Sequence, residues 1–67
     1  MTTQQMHLHL QALQAERTLA SLEGLTRNAA YMTSLEDEIA ATRSAYVGAA
    51  VTEIATLRAQ LSGPQEG

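Results

Sequence analysis

The chain contains no cysteine, lysine, phenylalanine or tryptophan, and only one proline. Each absence removes a class of explanation. Without cysteine there is neither a disulfide framework nor a thiolate metal site. At 67 residues the chain is one small domain at most. Folding alone, it would bury only about 60% of the surface its unfolded form exposes. Small domains make up that shortfall with disulfides, a structural metal or a partner subunit, and here the sequence leaves the last of these. Aromatic bulk is limited to Tyr31 and Tyr46, which excludes a roomy globular core.

The missing lysine leaves Arg17, Arg27, Arg43 and Arg58 as the only cationic side chains, scattered among seven acids at a net charge of -3. Binding a phosphate backbone takes a clustered basic patch that releases counterions. Nucleic acid is therefore not an expected partner, and an anionic membrane surface is disfavoured on the same grounds. The uncharged stretch from Ser44 to Thr52 falls far short of the roughly 20 apolar residues that span a bilayer. Met1 to His9 carries neither a basic segment nor an apolar run, so no secretory signal is read and a cytoplasmic location is the default expectation.

What remains is rich in alanine, leucine, glutamine, glutamate and arginine, all strong helix formers. In the second half, Met32, Leu35, Ile39, Thr42, Tyr46, Ala50, Ile54, Leu57 and Leu61 succeed one another at steps of three or four. That spacing places them on one face of a helix. In the first half, Met6, Leu10 and Leu13 form one stripe, and Leu8, Ala12, Ala15, Leu19 and Leu22 form a second that reads as its neighbour. Together they make a broad apolar face for more than one contact.

The pattern predicts a single helical domain over 1–67, with a first helix over 3–23, a break or kink over 24–33, a long second helix over 34–62 and a polar tail over 63–67. Thr2 or Thr3 is placed to cap the first helix. Gly24 followed by Leu25 suits a helix end with glycine in the left-handed conformation, after which Thr26 or Asn28 can start a new helix. Helical spacing nevertheless continues through Leu22, Leu25, Ala29 and Met32, and Glu23 and Arg27 stand at i and i+4. One glycine costs a helix only about 1 kcal/mol, so an uninterrupted helix is the competing reading. Ser34 before Glu36, Asp37 and Glu38 reads as a serine cap with acids in the first turn. A start nearer Asn28 would leave those acids on the solvent face. Gly63 and Pro64 close the pattern, giving a second helix of roughly 43 Å from Ser34 to Ser62.

Reactive constellations are absent. His7 and His9 are two residues apart, on nearly opposite sides of a helix, whereas helical metal pairs sit at i and i+4. Glu36 to Glu38 splay outward and lack the glycine turn and further oxygen ligands of a calcium loop. There is no cysteine to act as a nucleophile, and no glycine-rich phosphate loop occurs. The expectation is no enzyme, no metal and no cofactor. A lane of small residues, Ala41, Ser44, Ala45, Gly48, Ala49 and Thr52, would let another helix approach closely.

The stripe's steps include three consecutive fours near Tyr46 and Ala50, a stutter that straightens a left-handed supercoil. Thr42 and Ala50 are weak core positions for a two-stranded zipper. The expected fold class is all-α: a helical hairpin, short helix then long, forming a multi-helix bundle or coiled-coil-like oligomer. Leu13, Leu19, Leu22, Met32, Leu35, Ile39, Tyr46, Gly48, Ile54, Leu57 and Leu61 are the expected interface. The expected function is structural, an oligomerisation protein whose partner is itself, as a homodimer or higher oligomer. The alternative is an accessory or adaptor protein that binds another protein, such as an assembly factor, an inhibitor or a minor component of a virus particle or multiprotein complex.

Overall fold

The computed structural model describes residues 1–62. Gly63 and Pro64, read above as the stop signal of the second helix, and the polar tail lie outside the described residues. The described chain is a helical hairpin: α1 (Thr3–Leu22), a single 3-10 turn (Leu25–Arg27) and α2 (Ala29–Ser62).

Three local devices set these boundaries. Thr2 is extended, its hydroxyl accepts the Gln5 N–H at 3.0 Å, and the Gln5 side chain accepts the Thr2 N–H at 2.8 Å. This reciprocal box satisfies two donors that a helix start would otherwise leave open. At the other end, Gly24 adopts φ 78, the left-handed region, which glycine enters without a Cβ penalty. Its N–H reaches the Ser21 carbonyl at 3.4 Å, and the chain reverses. The third device is Asn28, extended, with its side-chain oxygen accepting the Tyr31 N–H at 3.0 Å.

Asn28 corrects the expected boundary. α2 starts five residues before Ser34, so the break contracts to Glu23–Asn28, and Thr33 and Ser34 lie inside the helix. No acid occupies its first turn. Physically, Asn28 is the earlier competent cap, and Ala29, Ala30, Tyr31 and Met32 after it offer nothing that opposes helix. Leu22 ends α1, and the continuous-helix reading fails at Gly24.

The helices run antiparallel. Arg17 pairs with Glu36 at 3.0 Å, and His9 with Glu38 at 3.2 Å. The Tyr31 hydroxyl donates to Glu16 at 2.7 Å, and the Thr3 hydroxyl donates to Glu53. These pairs lie at the surface, their acidic members and Arg17 exposed and Thr3, His9 and Tyr31 half-buried, and exposed ion pairs add little to stability. They report register more than stability. Between them lies the core: Leu10 and Leu13 from α1 meet Leu35 and Ile39 from α2, with Tyr31 and Tyr46 packed at its edges.

Because Thr3 stands beside Glu53, α2 from Ile54 to Ser62 projects beyond the start of α1. The molecule measures 62 × 16 × 15 Å and has a radius of gyration of 17.5 Å. A compact domain of this length would have about 11 Å.

α1 also departs from the broad-face reading. At about 100° per residue, Leu10, Leu13 and Ala20 point toward α2, whereas Leu8, Ala12, Ala15, Leu19 and Leu22 project from almost the opposite side. The first group contains all the buried residues of α1, and every member of the second is exposed. The two stripes are separate faces divided by polar flanks, and α2 covers only the first of them.

Candidate protein interface

The stripe on α2 divides at the end of α1. Leu35 and Ile39 are buried, while Met32, Thr42, Tyr46 and Ala50 are half-buried. From Ile54 onward the stripe has nothing over it: Ile54 and Leu57 are each 56% exposed and Leu61 is 68% exposed. Val47 and Val51 are exposed as well, one residue to the side of the stripe.

Those two valines reveal a second line on α2. Thr33, Glu36, Ala40, Arg43, Val47, Val51, Ile54, Arg58 and Leu61 follow at steps of three and four, about 100° around the helix from the side that meets α1. The line is small and charged near the turn and mostly large and apolar toward the overhang. At its turn end it forms one wall of an open groove of about 720 Å³, closed on the other side by Arg17, Thr18, Ser21 and Leu22 of α1 and floored by Ala29 and Met32. Groove and overhang therefore open on the same side of the hairpin.

Among the described residues, ten large apolar side chains are exposed against five buried residues, one of them an alanine. A scatter of single exposed leucines is ordinary on soluble proteins. Contiguous exposed apolar patches are less common, and where large they are associated with protein or membrane contacts, ligand grooves or aggregation.

Among the described residues, the polar groups are engaged in separate contacts. His7 stacks against Tyr46, ring centroids 5.2 Å apart, with its Nδ1 shielded and lacking a hydrogen-bond partner. His9 is engaged by Glu38. The two histidines thus serve different contacts across the hairpin. No group of three or more metal-ligating side chains forms among the described residues. The Tyr31 hydroxyl, donating to the Glu16 carboxylate, is held above the ordinary phenol pKa, first by that hydrogen bond and then by desolvation and the charge of Glu16. No helix in the described residues is long and apolar enough to cross a membrane.

The residues expected at an interface fall into three groups. Leu13, Leu35 and Ile39 lie inside the hairpin and Met32 and Tyr46 at its edge. Leu19, Leu22, Ile54, Leu57 and Leu61 are exposed. Gly48 lies in the small-residue lane on the side of α2 away from α1, where an added Cβ would meet nothing within 4 Å. The stripe traced through Tyr46 and Ala50 passed over Val47 and Val51. The signal that finds them is the line through Ile54 and Leu61, which Arg58 interrupts. No known protein family matches the chain, and no curated protein or solved structure matches it.

Proposed function

We propose that this protein is a structural association module whose helical faces are completed by other helices, in the first place those of further copies of itself. One observation carries the reading: the hairpin buries four large apolar side chains and leaves ten exposed, five of them in a row along the last four turns of α2. Isolated helices are marginal in water, and packing of an apolar face supplies most of their stability. A hairpin with so thin a core gains most by covering the rest of its apolar surface.

The test is a dilution series with mass by light scattering and helicity by circular dichroism. Self-association gives a mass above one chain and helicity that falls with the mass on dilution. A fully helical monomer throughout the micromolar range removes the reading.

The outer stripe of α1 favours a second reading, an adaptor that binds a different protein, because Leu8 and Leu19 are exposed on the side of α1 away from α2 and line no part of the groove. In that case the isolated chain is weakly helical at every concentration and gains helix only with its partner.

A further inference from the structure

We infer that the occupant of the groove is a second copy of the chain, placed by a two-fold axis through Val47 so that the overhang of each α2 lies in the turn-end groove of the other. The inference rests on the self-association reading and adds the register. An isologous pair of antiparallel helices places residue i opposite residue j and j opposite i. With Val47 on the axis, positions summing to about 94 face each other, and the line on α2 then becomes self-complementary. Arg58 meets Glu36 of the second copy, Ile54 meets its Ala40, and Leu61 meets its Thr33 at the wall of the groove lined by Leu22 and Met32. Ile54 and Leu61 of the distal half thus meet small residues of the proximal half, Val51 lies along the aliphatic stem of Arg43 with the guanidinium turned to solvent, and a base meets an acid. Glu36 already binds Arg17 through one carboxylate oxygen, which leaves the other as an acceptor.

Neighbouring registers lose this match. Sliding one heptad toward the overhangs sets Arg43 against Arg58, a like-charge contact. Sliding one heptad the other way sets Glu36 against Val51 and leaves Arg58 opposite Ala29. Sliding two heptads toward the overhangs pairs Ile54 with itself, but Arg58 then faces Ala50 with no acid across the seam. Size decides in the same direction. A stable interface takes roughly 20–30 residues from each partner, more than one face of an overhang offers. The Val47 register enlists that face from Thr33 to Leu61 together with the α1 wall of the groove.

Because the described residues hold no cysteine, engineered thiols report the register directly. The full chain is prepared as Val47→Cys, as Ile54→Cys, and as an equimolar mixture of Thr33→Cys and Leu61→Cys, and each is air-oxidised at a concentration where the unmodified chain's mass has been measured. The expected result is a cross-linked dimer from Val47→Cys and from the mixture, little from Ile54→Cys, and none from Thr33→Cys or Leu61→Cys alone. Cross-linking of Ile54→Cys in preference to Val47→Cys overturns the register while the measured dimer mass leaves self-association standing. Equal cross-linking at every position also overturns it. A monomeric mass with no cross-link removes both the register and the reading beneath it.

Discussion

The two ends of α2 are built from similar residues and have opposite surroundings. Between Met32 and Ala50 the apolar stripe is covered by α1, and its leucine and isoleucine are at least 94% shielded. Between Ile54 and Leu61 the same kind of stripe, at the same spacing, faces solvent. The difference comes from the turn. Gly24 ends α1 and Asn28 starts α2, so the length of α1, about 30 Å at its helical rise, fixes how much of α2 is covered. The covered stretch makes the hairpin, and the bare one is the surface proposed for association.

The largest break in this comparison comes from the covered side. Ile39→Ala or Leu13→Ala removes one of four core side chains, and such truncations cost about 2–5 kcal/mol. Helicity should collapse at all concentrations, as measured by thermal and urea melts. Ile54→Ser, on the bare side, should leave the hairpin folded wherever it is folded alone, yet weaken self-association about tenfold or more, read as a shift in the midpoint of the dilution series. If both substitutions lower helicity equally and without dependence on concentration, the two ends do not have separate roles.

Much of this division was legible in the sequence. The hairpin and the left-handed glycine follow from spacing and composition, whereas Leu13, Leu35 and Ile39, expected at an interface between chains, lie inside the hairpin. What was not legible is where coverage stops. That depends on the antiparallel register of α1 on α2, which is set by the packing of Leu10 and Leu13 on Leu35 and Ile39 and reported by contacts such as Arg17 with Glu36, none of which a local pattern reveals. The true start of α2 was hidden for a local reason: both Asn28 and Ser34 precede credible first turns, and three acids after Ser34 made the later one look stronger. The face containing Val47 and Val51 was obscured because an arginine interrupts its line.

The turn offers a moderate test. Gly24→Ala places a side chain in open space but in a left-handed conformation, which costs an L-residue about 1–2 kcal/mol. The change favours running α1 onward through Leu25, so it should lower the melting temperature and increase elongation, as measured by small-angle scattering. Asn28→Ala removes the cap on Tyr31 and should cost about 1 kcal/mol, with no change in the oligomer's mass.

The smallest expected effect lies in the covered end itself, at Tyr31. Its hydroxyl donates to Glu16, so the folded state holds the phenolic proton more tightly than the unfolded state does, and its pKa is raised from 10.0. The sign of the linkage follows: the folded state binds more protons between the two pKa values, so this contribution is complete below the unfolded pKa and is lost as pH rises through the folded one. A Tyr46→Phe chain leaves Tyr31 as the sole phenol. Its ultraviolet titration should have a midpoint above that of a free tyrosine, and Glu16→Gln should bring it down. An unchanged midpoint in the Glu16→Gln chain would mean that the carboxylate does not hold the proton, and the pairing of Glu16 with Tyr31 would drop out of the contacts that define where α1 covers α2.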